Sequence, residues 1–183
     1  MRFDLNSAVL LVIDVQRAFD HPRWGQRNNV DAEQNIAKLV EKWRQTKRPI
    51  VHIHHVNPKP ESLFNGEGLE VKPEAKPLPG EPILTKNVNS AFIGTDLQER
   101  LQSMGAKQLV LAGLTTDHCV ATTARMAGNL GFDTFVVSDA TATFERKGIR
   151  GQHYTAEEMH DTALTSLNTE FATIVTTAEL TRD

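Results

Sequence analysis

The one cysteine of the chain, Cys119, lies in the stretch LVLAGLTTDHCVATTA at 109–124, which passes from an apolar strand through a sharp turn into a helix. Gly113 ends the strand, Thr116 or Asp117 offers an N-cap oxygen, and Cys119 falls in the first helical turn. Unpaired N–H groups and the positive end of the helix dipole gather there, and both favour a thiolate. A free thiol titrates near about 8.5, so such help decides how much nucleophile exists at neutral pH. Two further groups end apolar strands: Asp14 follows the run AVLLVI at 8–13, and Lys86 follows ILT at 83–85. Each has a plain alternative, namely an inert core thiol, a turn carboxylate and a solvated ammonium. Together they are a general base, a nucleophile and a charge stabiliser, a set suited to covalent attack on an amide carbonyl. In that scheme Asp14 takes the Cys119 proton and the thiolate attacks. Backbone N–H groups at 114–119 receive the oxyanion, Asp14 protonates the leaving nitrogen, and water then hydrolyses the thioester.

Three strand ends meet only if the strands share one sheet, and in an open parallel sheet the carboxyl ends converge on a crevice. The pattern predicts such a sheet. Residues 8–13 read as a strand covered on both faces. Ile36, Leu39, Val40 and Trp43 mark a helix over 30–46, and 50–56 follow as a second strand. Residues 57–82 hold six of the eight prolines and read as a long functional loop, before a short strand at 83–86. A helix at 95–104 stops at Gly105. A strand at 109–112 leads to a helix at 117–130 capped by Gly131, and a strand at 132–137 ends at Ser138 and Asp139. A polar loop at 141–155, a helix at 156–168 and a strand at 171–175 complete the pattern, with fraying expected from 178. Strands alternating with helices predict βαβ units, hence an α/β fold with a parallel sheet, helices on both faces and one domain over 1–183.

The formal charge is −3, from 20 basic and 23 acidic residues, and neither sign forms a long run, which argues against a nucleic-acid partner. The apolar start is too short to span a bilayer and lacks a leader's cleavage pattern, so no membrane association is expected. A single cysteine makes no internal disulfide and fits a reducing, cytoplasmic setting.

Three motifs in order, VIDVQRAF at Asp14, KNVNSAF from Lys86 with a downstream TDLQERL, and GLTTDHCV across Cys119 followed by GF and SDA, resemble the isochorismatase-like cysteine hydrolases. That superfamily includes nicotinamidases, N-carbamoylsarcosine amidases and isochorismatases. The resemblance implies a Rossmann-like three-layer α/β/α sandwich with a six-stranded parallel sheet, assembled as a homodimer or homotetramer. It also implies Asp14, Lys86 and Cys119 as a triad, a cis peptide between Leu114 and Thr115, and an oxyanion hole from the Thr115 and Cys119 N–H groups. The nicotinamidase branch places an Asp-x-His pair and a later His around a metal near the second strand. Here that stretch reads VHIHHVNP without the aspartate, so neither metal nor cofactor is expected; His52 and His54 would pack on one strand face, with His55 at the strand end. A cysteine nucleophile favours C–N hydrolysis of a small amide, carbamoyl or ureido compound. Ether or ester hydrolysis of the isochorismatase kind, and a non-catalytic oligomeric or redox-sensing module, remain open. Phe19, Trp24, Phe64 and Phe92 are expected as pocket walls, and Gln16 or Asn87 as groups that orient substrate or triad. His118 is expected to point away from Cys119, Asp139 to fix a loop, and His153 and His160 have no evident partner.

Overall fold

The computed structural model describes residues 7–182. Strand β1 (Val9–Ile13) is buried along its whole length, because its alternate side chains enter two different cores. Val9, Leu11 and Ile13 face one core, and Leu10 and Val12 the other. A strand apolar on both faces belongs in the middle of a covered sheet. The other elements, in chain order, are α1 (Ala32–Gln45), β2 (Ile50–His55), β3 (Ile83–Lys86), α2 (Leu97–Ser103), β4 (Gln108–Leu114), α3 (Ala121–Asn129) and β5 (Asp133–Ala142). They are followed by a small hairpin of β6 (Arg146–Lys147) and β7 (His153–Tyr154), then α4 (Ala156–Leu167), β8 (Thr173–Val175) and α5 (Thr177–Thr181). The main sheet is six-stranded in the order β3-β2-β1-β4-β5-β8, and every pairing is parallel.

On one face, α1 packs Ile36, Leu39, Val40 and Trp43 with Leu180 of α5. On the other, α2, α3 and α4 supply Leu97, Leu101, Ala124, Leu164 and Leu167, so the chain forms three layers. The chain winds outward from β1 to β2 and β3, then returns to the far side of β1 and continues through β4, β5 and β8. The order therefore reverses between β1 and β4. A crevice opens at such a switch point, beyond the strand ends.

Besides the β6–β7 hairpin inside the expected loop at 141–155, four elements differ from the sequence expectation. Strand β4 does not stop at Gly113 but runs to Leu114. Gly113 sits at φ +134°, where a Cβ would lie 2.0 Å from the Ile13 carbonyl oxygen, so its missing side chain lets β1 and β4 approach instead of breaking the strand. Strand β5 continues past Ser138 and Asp139: a register shift lets Thr141 and Ala142 pair with Gly113 and Leu114. A five-residue π turn, Thr116–Val120, precedes α3, so Cys119 sits in this turn rather than in a regular first helical turn. Residues 178–181, expected to fray, belong to α5, which a Thr176–Glu179 capping box holds, and Asp183 lies outside the described residues.

The proline-rich segment 57–82 is tied down by charge. Lys72 bonds to Asp20 and Glu33, and Glu81 bonds to Arg44 and His52. Among the described residues, no helix is long and apolar enough to cross a membrane.

Candidate active site

Asp14 is the first residue beyond β1. It holds a left-handed φ of +52° while its N–H donates to the Ile53 carbonyl at 2.8 Å, and its side chain is fully buried. Lys86 closes β3 and reaches over the end of β2 to place Nζ 2.6 Å from Asp14 Oδ2. The same ammonium lies 3.3 Å from Cys119 Sγ, so three residues from three separate strand ends meet at the switch point. A fourth group joins them, with His55 Nδ1 at 3.1 Å from Lys86 Nζ.

The electrostatics differ from those of a simple helix-start thiol. Burial, with the Asp14 carboxylate next to it, pushes the Cys119 thiol up to about 12, and the Lys86 ammonium offsets this only in part. Lost hydration thus outweighs the turn and the cation, which favours the neutral thiol of Cys119 over the thiolate. Burial also raises the Asp14 carboxyl against the opposing pull of Lys86. A raised carboxyl beside a thiol is a stronger base than an exposed one.

The turn that carries Cys119 is fixed from several sides. The Leu114–Thr115 peptide is cis, and the Val120 N–H donates across the π turn to the Thr115 carbonyl at 3.2 Å. His160 Nδ1 lies 2.9 Å from the Thr116 hydroxyl. Asp117 accepts from the Thr143 hydroxyl at 2.6 Å and from Arg146 Nε at 3.0 Å. His160, which had no evident partner in the sequence, is therefore buried structural support, while His153 pairs with Glu145 at 2.8 Å.

A cavity of about 340 Å³ opens over Cys119. Phe19, Trp24 and Phe64 wall it, with Phe19 centred 5.2 Å from Trp24 and 5.1 Å from Phe64. Arg23, Asn57 and Asn89 add polar groups, and no carboxylate is among the lining residues. Gln16, expected to orient substrate or triad, and Phe92, expected as a wall, are not among the lining residues. Gln16 is fully buried and staples the backbone of His55, accepting from its N–H at 2.8 Å and donating to its carbonyl at 3.0 Å. Phe92 packs against the core on the α2–α4 side of the sheet, outside the cavity lining, and stacks on Phe132 at 6.2 Å. Asn89 rather than Asn87 lines the cavity. His118 does the same instead of pointing away, since the wider π turn changes the direction of its side chain.

The β2 histidines divide: His52 is buried on Glu81 at 2.8 Å, His54 is half-buried, and His55 enters the site. Asp14, His55 and Cys119 each bring a potential metal-ligand atom within 4.8 Å of the others. Lys86 already hydrogen-bonds to the Asp14 and Cys119 atoms and contacts the His55 nitrogen, so a metal ion there would face a positive charge.

The family model for the isochorismatase domain matches residues 8–179. The chain belongs to the isochorismatase family. The isochorismatase family protein YrdC of Bacillus subtilis (strain 168) is 49% identical over 176 residues, covering 95% of this chain and 94% of YrdC. Nicotinamidase 3 of Arabidopsis thaliana is 32% identical over 196 residues, covering 98% and 90% of the two chains. The crystal structure of an isochorismatase-family protein from Chromobacterium violaceum ATCC 12472 shares 39% identity at a TM-score of 0.95, covering 99% of this chain and 95% of that one. The protein is thus an isochorismatase-family hydrolase with the family's α/β architecture. Sequence reasoning did not single out Arg23, Asn57 or Asn89, and it placed His55 only at a strand end, without its contact with Lys86. The one signal of His55 was its position at the end of the strand next to Lys86.

Proposed function

We propose that this isochorismatase-family hydrolase cleaves the C–N bond of a small amide, carbamoyl or ureido compound through a thioester on Cys119. The observation that carries the reading is the simultaneous contact of one buried ammonium, Lys86 Nζ, with Asp14 Oδ2 at 2.6 Å and Cys119 Sγ at 3.3 Å. The Cys119 proton passes to the Asp14 carboxylate as sulfur bonds to the substrate carbonyl carbon. Lys86 remains protonated and offsets the negative charge that develops on sulfur while its proton leaves. The carbonyl oxygen becomes an oxyanion facing the Thr115 and Cys119 N–H groups, each such donor being worth about 3 to 4 kcal/mol in acyl-transfer enzymes. As the C–N bond breaks, Asp14 returns its proton to the departing nitrogen. Water then attacks the thioester, giving a proton to Asp14, and the sulfur leaves and recovers that proton.

The cavity suits a short, flat substrate, with aromatic walls for its faces and asparagines for its polar edge. The test is a screen of ammonia and amine release over a small-amide library, with intact-mass detection of a covalent adduct. Turnover of at least one amide, an acyl adduct on Cys119 and loss of both in Cys119→Ala are expected. An amide hydrolysed at the full rate by Cys119→Ala overturns the covalent route, and turnover of esters or ethers alone overturns the C–N assignment.

A further inference from the structure

Strand β2 lies between β3 and β1 in the sheet, so a lysine at the end of β3 must cross the end of β2 to reach Asp14. The residue paired with Lys86 in the sheet register is His55. An ammonium has three hydrogens and no acceptor. Two of them have Asp14 Oδ2 at 2.6 Å and Cys119 Sγ at 3.3 Å, and the third has His55 Nδ1 at 3.1 Å. We infer that His55 is a positioning residue of this site: its neutral ring accepts the third hydrogen of Lys86 and fixes the direction in which the ammonium meets Asp14 and Cys119. This rests on the proposed part of Lys86 and Cys119 in the reaction.

The surroundings of His55 are built for that task. The Gln16 amide clamps both backbone groups of His55, and the Phe64 ring meets the imidazole edge-on at 4.7 Å. A backbone hydrogen bond at Val88 favours a proton on the ring. Nδ1 faces an ammonium, so in the neutral ring that proton belongs on Nε2. Burial, and then the charge of Lys86, hold the ring's titration down to about 4, which keeps the Nδ1 lone pair available at neutral pH. The charged or titratable groups facing it are Lys86 from β3, Asp14 from the end of β1, Cys119 and His118 from the π turn, and Arg23 across the cavity. Without an acceptor at this position, one ammonium hydrogen is left buried and unpaired, and Lys86 is free to swing away from the sulfur.

The experiment compares His55→Leu and His55→Gln in the full chain, and adds nitrogen NMR of the imidazole in the unsubstituted protein. His55→Leu should lower kcat by about 10- to 100-fold, the range of a lost hydrogen bond to a charged group, with a much smaller change in KM. His55→Gln keeps an acceptor oxygen and should recover most of that loss. In the unsubstituted protein the ring should be the neutral Nε2–H tautomer from pH 8 down to about 5, and Lys86→Met should move its titration upward by removing the neighbouring cation. A His55→Leu variant with undiminished kcat, or a ring that is charged or Nδ1-protonated at pH 7, overturns the inference. The NMR arm decides the geometry even if no amide proves to be a substrate, so failure of the C–N assignment and failure of the His55 role are separable.

Discussion

At the scale of single residues, burial raises the Cys119 thiol, and two opposite charges at short range adjust it further. The Asp14 carboxylate raises the thiol and the Lys86 ammonium lowers it, so removing either one shifts the thiol in a known direction. Asp14→Asn should bring the thiol down and speed alkylation by iodoacetamide at a fixed pH near 9, while the amide turnover proposed above should collapse for want of the proposed base. Lys86→Met should push the thiol further up and slow both. In the unsubstituted protein, alkylation should keep rising with pH well beyond the ordinary thiol range, because the thiol lies near about 12. A plateau in the rate at about pH 8.5, or equal slowing in both variants, would contradict this ordering of charges. Asp14, Lys86 and Cys119 were legible in the sequence because each is a polar or reactive side chain at the end of an apolar run, where burial needs a reason. His55 was not, since in the run VHIHHV strand alternation accounts for His52 and His54 by packing and leaves His55 merely at the strand end. Its contact with Lys86 comes from register between neighbouring strands, which no local pattern carries. Gln16 and Phe92 show the reverse case, for nearness to Asp14 and Lys86 along the chain did not decide where their side chains point.

At the scale of elements, the site depends on how closely β1 and β4 approach. Ile13 and Gly113 are register partners immediately before Asp14 and Leu114, and an added Cβ at Gly113 meets the Ile13 backbone at 2.0 Å. Relief requires the strands themselves to part, since the obstructing atom is main chain. Gly113→Ala should therefore lower stability by about 3 kcal/mol or more and disturb the placement of Asp14 against Cys119. Gly131 is the matched control: it also has positive φ, at +86°, but nothing lies within 4 Å of its added Cβ. Gly131→Ala should cost only about 1 kcal/mol of backbone strain. Urea midpoints for the two variants check the contrast, and equal losses would sink the close-approach account. The core strands and the main helices were readable because a continuous apolar run and a 3.6-residue stripe are properties of the segment itself. The extension of β5 to Ala142 was hidden by the turn-like pair Ser138 and Asp139. The strand resumes there only because β4 offers Gly113 and Leu114 as partners. The π turn was equally hidden, as its extra residue is held by Thr143, Arg146 and His160 from distant parts of the chain.

At the scale of the whole molecule, the fold confines imidazoles and carboxylates in ways that set its response to acid. His52, His54, His55 and His160 all titrate below the ordinary histidine value of 6.5, chiefly because burial penalises their charged forms. As the pH falls below 6.5, the unfolded chain takes up protons at these positions that the folded chain refuses. Stability must then decline. A second window follows from Glu33 and Glu81, which Arg27 with Lys72 and Arg44 with His52 hold at about 2, against 4.5 for a free glutamate. Their contribution is complete above 4.5 and is lost as the pH falls toward 2. Asp14 acts in the opposite sense, because burial raises its carboxyl and it binds a proton in the folded state first. The urea midpoint should therefore hold near neutrality, begin to fall near pH 6.5 and fall more steeply below 4.5. Replacing His52 by Gln should flatten the first window, and replacing Glu81 by Gln should flatten the second. A midpoint that stays level from pH 7 to pH 5 would mean that these rings ionise freely inside the fold. In that case the neutral His55 on which Lys86 leans could not be maintained either.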